Sequence, residues 1–517
     1  MSSSEEKHDR HAVPRLRSFA VACEMHELSS LKPLEESPFT DEMLRDAITD
    51  WEEKPGVSVA ADLVSAAITL GRLDVAKQAA LYLLSKPDAP PIARRMAGVC
   101  VGAADGTAGI VSGVEAIHAH PFSLNDLHSS IHRTRIQLRR YPRDSVLWTN
   151  LACMYVSLGQ HRKARRAVVA ALSLSPQNRF VVRSASRILL HLGEGDLGHL
   201  IVLRTEGLRY DPWLASAEIS IAAAIKSESD FIKSSQKLLE ADKFAPYDSS
   251  ELAVELATIR GLDGNMPAAK RLFRRSLQHA SENALAQAAW LAREVPGIPA
   301  IEQVKTHSSE ANAWITRQRG HLRDSLLQTR HWLEDQPFSS RPAEMGSFIA
   351  SRLTQHEDSI QFARQGLVSN PDDVTLLNNL AFSLGKTGDV AGAKDALSRV
   401  NAELLSPSNQ IVLDATRGLI AFREGNVNQG RILYDKAITL ARARKDPREA
   451  IALIYRAMEE IQAATPDAEK HRGAALEVGR KQFVTPEDRI LIGQLEKFGR
   501  DEGVVSALPP QYKTGSS

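Results

Sequence analysis

Between Ser145 and Asn178 the chain places Trp148, Leu151, Ala152, Tyr155, Gly159, Ala164 and Ala171 on a helical period, and Pro176 follows. The pattern predicts two helices joined at Gly159, with proline ending the second. Large and small apolar residues alternate between the two facing sides. A unit of this kind cannot cover its apolar face alone, so it has to stack on copies of itself.

Copies recur with decay. Residues 374 to 407 repeat the frame through Leu380, Ala381, Leu384, Gly388, Ala393 and Leu397, and residues 411 to 444 keep Gly418, Gly425, Tyr434 and Ala437. Weaker copies fall at 215 to 248 (Ile221, Ala222, Ala241, Pro246), at 250 to 283 (Leu256, Ala257, Gly264, Ala269, Phe273) and at 340 to 373, where the second helix and Pro371 fit. The unit after Asn178 keeps Gly193, but Pro212 comes two residues late, which reads as a small insertion. Gly71, Ala76, Ala80 and Pro87 look like one more unit near the start. Seven to nine repeats are expected, and no segment of useful length has the period-two pattern of a strand.

On these positions the chain resembles the tetratricopeptide repeat family, helix-turn-helix arrays with a period of about 34 residues. Within residues 145 to 178 only Val168 departs, at a position where an aromatic is common. The resemblance implies an all-α superhelical solenoid, and it is silent about function because function lives in sites grafted on folds. The expected organisation is an acidic, partly disordered segment at 1–56, an array at 57–293, an irregular helical junction at 294–345, a second array at 346–445, a helical cap at 446–502 and a disordered tail at 503–517. Residues 90 to 130 and 294 to 345 resist the frame, the first through its glycines, the second through Pro296, Pro299, Pro337 and Pro342 around a long helical stretch near Trp314 to Trp332. Thr485-Pro486-Glu487-Asp488 reads as the start of the last helix, with the stripe Ile490, Leu491, Leu495 and Phe498 facing the array. The tails before about Arg15 and after about Gly503 are read as disordered.

The 517 residues carry a net charge of only +1, and that balance hides an asymmetry. From Glu24 to Asp62 there are eleven acids against Lys32, Arg45 and Lys54. From Leu127 to Leu192 there are twelve basic residues against Asp144 alone. The three cysteines, Cys23, Cys100 and Cys153, suit neither a disulfide framework nor a zinc knuckle. With no apolar leader and no long apolar run, a cytoplasmic location is expected, and richness in arginine and alanine points to a GC-rich bacterial source.

Arg179, Arg183 and Arg187 recur every four residues and therefore share one helix face. The resemblance puts Arg183 and Arg187 toward a concave groove, suited to carboxylate or phosphate. The alternative is a solvated face balanced by the acidic segment. Asn150 and Asn379 stand where family members that clamp a C-terminal carboxylate carry asparagine, but Phe180 and Ser184 replace the basic residues such a clamp needs. Asn378, Asn379 and Lys386 form a second candidate partner site. Arg139, Arg140, Arg143, Arg162, Lys163, Arg165 and Arg166 are candidates for nucleic-acid phosphates, without interleaved aromatics beyond Tyr141 and Trp148. His118 and His120 are the one histidine pair that suggests a metal-dependent hydrolase, and no partner motif follows them. Phosphate-binding loops, zinc-protease helices and nucleophile elbows are missing from the sequence. The reading is a non-catalytic interaction scaffold or adaptor without metal or cofactor. Its protein partner presents an acidic peptide or helix to a groove. The rival is a nucleic-acid-binding regulatory subunit.

Overall fold

The computed structural model describes residues 11–16, 41–69, 72–86, 89, 91–104, 124–301, 308–401, 405–482 and 485–498. Among them every regular element is a helix. Two compact units are present, one of residues 24–123 and one of residues 1–23 with 124–517. His118, His120, Gly71, Pro87 and most of the acidic N-terminal segment lie outside the described residues, as does the tail after Gly503.

The smaller unit holds α1 (Asp41–Glu53), α2 (Val57–Thr69), a 3-10 turn at Leu73–Ala76, α3 (Lys77–Ser85) and α4 (Pro91–Ala104). Leu44, Leu63, Val64, Leu83 and a run of alanines close its core, and Trp51 meets Tyr82 edge to face. Small alanines let these short helices approach closely.

The larger unit is the array. After α5 (Leu124–Arg140) come helix pairs α6 (Ser145–Ser157) with α7 (His161–Leu174), α8 (Arg179–His191) with α9 (Gly195–Leu203), α10 (Pro212–Ala224) with α11 (Ile232–Glu240), and α12 (Pro246–Leu262) with α13 (Met266–Ser276). A lone α14 (Glu282–Glu294) precedes α15 (Ser309–Gln318) with α16 (Leu322–Asp335), then α17 (Ser340–Arg352) with α18 (His356–Ser369). The series closes with α19 (Val374–Thr387) and α20 (Val390–Ser398), α21 (Pro407–Arg423) and α22 (Val427–Arg444), α23 (Arg448–Gln462) and α24 (Ala468–Gln482), and a final α25 (Pro486–Lys497). Each pair turns through one residue of positive φ, in order Gly159, Gly193, Lys226, Gly264, Gly320, Thr354, Gly388, Gly425 and Ala464. Nine such helix pairs are present among the described residues of the larger unit.

First helices begin where the sequence offers an oxygen to the free amides of the first turn. Asp144 caps α6, Asn178 caps α8, Asp211 caps α10, Ser281 caps α14, Asp373 caps α19 and Ser406 caps α21. Pro212, Pro246 and Pro407 are first-turn residues of the helix that follows, so the copies placed at 215, 250 and 411 start three or four residues earlier than the apolar frame alone suggests. The late Pro212 accommodates a 3-10 turn at Glu206–Arg209. The stretch near Trp314 to Trp332 is two helices, broken at Gly320.

Within this unit the chain meets itself after several pairs. Gly159 has φ +65, and a Cβ there would lie 2.2 Å from the carbonyl oxygen of Val368. Ser369 Oγ donates to Ser157 O at 2.9 Å, and the His161 ring lies 3.1 Å from Ser369 O. The glycine read as a helix turn is therefore also the point where the α6–α7 turn presses on the end of α18.

Candidate peptide-binding face

Residues 11–16, His-Ala-Val-Pro-Arg-Leu, lie extended across helices of the larger unit, which corrects the reading of a disordered start for residues 11–14; residues 1–10 lie outside the described residues. Ala12, Pro14 and Leu16 are buried while His11, Val13 and Arg15 are half-buried, the alternation of an extended strand against a surface. Pro14 holds its own φ and keeps Val13 out of the helical region, so the segment is pre-set for this shape.

Its bed is polar and acidic. The Ala12 N–H donates to Glu255 Oε2 at 2.9 Å, and His11 Nδ1 lies 2.8 Å from Glu255 Oε1. Asn283 Nδ2 donates to the carbonyls of Ala12 at 3.1 Å and Val13 at 2.9 Å. Arg15 enters three carboxylates: 2.5 Å to Glu310, 3.0 Å to Asp335 and 3.9 Å to Glu282. Leu16 joins the buried core cluster that includes Ile131, Tyr155, Ile188 and Phe338. A carboxylate and an amide thus hold this segment by its main chain, and an acidic socket holds one of its side chains.

Beyond this bed the same row of helices lines a cavity of about 690 Å³. Trp290 and Arg293 come from α14, Trp314 and Arg317 from α15, Phe348 and Arg352 from α17, Asn378, Asn379 and Phe382 from α19, Thr416 from α21 and Tyr455 from α23. Guanidinium groups lie over the rings: Arg293 sits 4.1 Å from the Trp314 centroid, Arg317 5.2 Å from Phe348 and Arg352 4.9 Å from Phe348. Arg317 is held by Glu487 at 2.5 Å, so the last helix α25 fixes one wall. Glu344, also on the wall, is pushed up to about 7 by burial and by the Asp373 carboxylate facing it.

The residues singled out by sequence scatter over several environments. Arg179 pairs with Asp211 at 3.1 Å. Arg183 pairs with Glu251 at 2.7 Å and stacks 4.7 Å from the Trp213 ring, and Arg187 stacks 4.8 Å from Phe338. Both arginines thus have packing roles. Asn150 is half-buried on α6. Asn378 accepts from Thr416 Oγ1 at 2.8 Å, Asn379 donates to Ser347 Oγ at 2.9 Å, and both line the cavity. Lys386 is paired with Glu459 at 2.8 Å. Arg139, Arg140, Arg143, Arg162, Lys163, Arg165 and Arg166 are exposed, with Arg165 bridged to Glu194 at 2.7 Å. The acidic bed and the tryptophan-arginine wall escaped sequence reasoning because their members come from separate repeats. Pro14 was the one local signal of the bound segment.

The tetratricopeptide repeat family model matches residues 146–178. That segment matches a single tetratricopeptide repeat. Comparison with curated proteins finds no match. Among solved structures, the chain is similar to yeast Tom70, at 13% identity over 87% of this chain and 97% of that one, TM-score 0.27. It is similar to a chain of the APC/C hetero-tetramer Cut9-Hcn1, at 12% identity over 92% and 99%, TM-score 0.34. It is also similar to a monomeric IFIT1 mutant with Gppp-AAAA, at 11% identity over 89% and 96%, TM-score 0.32. Likeness at this level says nothing of function. The matched repeat is α6 with α7, and the cavity wall is built mainly from α14 and the first helices of the later pairs. Among the described residues no cluster of His, Cys, Asp and Glu has the makings of a metal site, and no helix is long and apolar enough to cross a membrane.

Proposed function

We propose that the protein is an interaction scaffold that holds an extended peptide along the inner row of first helices and contributes no catalytic group. The observation that carries this reading is the chain's own segment 11–16, whose main chain is read by Glu255 and Asn283 and whose Arg15 fills an acidic socket. Contacts to the main chain tolerate many sequences, whereas the socket selects a basic side chain at one position. The bed is therefore a receptor for a short extended peptide with proline or another small residue ahead of arginine, and the native segment is its resident occupant. The basic cavity beyond it is the part of the face that suits the acidic partner the charge pattern calls for.

The experiment is displacement in the full chain. Arg15→Ala weakens the resident segment, and a fluorescent synthetic peptide of residues 9–18 is then titrated against variant and wild type by anisotropy. Saturable binding to the variant, weaker binding to wild type, and none by the same peptide with the arginine that corresponds to Arg15 replaced are expected. Equal binding of both peptides, or no binding to the variant, would overturn the reading.

A further inference from the structure

Burying a charge without a partner is among the costliest arrangements a fold can hold. Arg352 is such a charge. It closes α17 at 4% exposure, its Nη1 donates to the Tyr455 hydroxyl at 2.6 Å, its Nε has no acceptor, and no carboxylate lies within ion-pair distance among the described residues. Its guanidinium lies 4.9 Å from the Phe348 ring centroid and 5.6 Å from that of Tyr455, whose hydroxyl holds it by the hydrogen bond. Gln494 on α25 donates to the Arg352 carbonyl at 2.7 Å and pins its backbone.

The surroundings do not neutralise it. Lys386 lies 5.6 Å from the same Tyr455 ring, and with Arg423 it shares one carboxylate, Glu459. Glu459 is thus engaged by Lys386 and Arg423 and forms no ion pair with Arg352. The pKa of His356 is lowered to about 4, first by burial and then by Lys386 and Arg423, against the opposing pull of Glu357. On the cavity side, Arg293, Arg317, Arg341 and Arg448 line the wall with Glu294 and Glu344, and Arg293, Arg317 and Arg448 are paired with Glu294, Glu487 and Asp446. Trp314 Nε1, on the same wall, is a second buried donor without an acceptor.

We propose that Arg352 anchors a carboxylate of an acidic peptide in this cavity, with Phe348 and Tyr455 gripping the stem of the acidic side chain and Trp314 Nε1 available as a second donor. The peptidic nature of the ligand rests on the scaffold reading above; the place of its carboxylate rests on the unneutralised guanidinium. A volume of about 690 Å³ falls in the range of ordinary ligand pockets and admits a few residues rather than a folded surface.

The test uses the full chain, with acetylated and amidated hexaglutamate as probe, and follows tryptophan fluorescence and melting temperature. Hexaglutamate is expected to quench the fluorescence and raise the melting temperature of wild type. Arg352→Gln is expected to bind at least ten-fold more weakly, yet to melt without ligand at the wild-type temperature or above, because a buried unpaired charge has been removed. Arg352→Lys keeps the charge without the planar fork and should bind with intermediate strength; it serves if the glutamine variant does not fold. A merely structural arginine predicts the reverse, a lower melting temperature with hexaglutamate binding intact, and that result overturns the proposal. So does wild type that ignores hexaglutamate at millimolar concentration, or one that prefers a 5′-phosphorylated hexa-adenylate. The displacement experiment at Arg15 does not involve Arg352, so the two readings fail separately.

Discussion

Single residues in this protein carry two kinds of strain, steric and electrostatic. Gly159 combines positive φ with a carbonyl 2.2 Å from where a Cβ would stand, so neither the turn nor the neighbouring α18 can accommodate a side chain. Gly159→Ala should lower stability by about 2–4 kcal/mol in denaturant unfolding, well above the usual cost of a helix-turn glycine. Glu344 is strained electrostatically. Its folded pKa of about 7 lies above that of an unfolded glutamate, so its contribution is complete below about pH 4.5 and is lost as pH rises through 7. Glu344→Gln is accordingly expected to leave stability at pH 4 unchanged and to raise it at pH 8 by about 1–3 kcal/mol, measured as the pH dependence of the urea midpoint. His191, lowered to about 3 by burial beside Arg187 and His161, has the opposite sign: its contribution is present above pH 6.5 and lost as pH falls toward 3.

At the scale of elements, the row of first helices is cross-braced by ion pairs between repeats. Arg183 of α8 reaches Glu251 of α12 and lies over Trp213 of α10, so it ties three successive repeats together. Charge reversal there sets a glutamate against a buried glutamate. Arg183→Glu should therefore cost about 3–5 kcal/mol of stability, visible as an early transition in thermal unfolding. A positional argument from the family frame treats the same residue as a free groove cation, and the difference is the partner on α12. The last helix is a cap in the literal sense, since Thr485 and Asp488 form a reciprocal capping box and Glu487 holds Arg317. Thr485→Ala is expected to cost about 1 kcal/mol, read by denaturant midpoint, with hexaglutamate binding weakened in step if α25 fixes the cavity wall.

At the scale of the whole chain, exposed arginines 139, 140, 143, 162 and 166 form a long-range basic field on α5, α7 and their junction with α6. An acidic protein partner steered by that field should associate more slowly as salt rises from 0.1 to 1 M, where the Debye length falls from about 10 Å to 3 Å. A nucleic acid meeting the same arginines would instead show a steep log-log loss of affinity through counterion release. Filter binding and stopped-flow association across that range separate the two.

The helices, their turns and their stacking were legible in the sequence because each is specified within one repeat. Caps such as Asp144 and Asn178, turn residues such as Gly193 and Gly388, and apolar spacings such as Leu380 to Leu384 act over a few residues. The repeat edges drifted where proline began a helix rather than ending one, as at Pro212 and Pro246. The site is of another kind. Glu255, Asn283, Glu310 and Asp335 converge on a segment more than two hundred residues earlier in the chain, and Arg352 meets Tyr455 across about a hundred. Local pattern fixes which face of a helix is apolar. Which side chain completes another's charge depends on the superhelical path that brings distant repeats side by side, and no period along the chain records it.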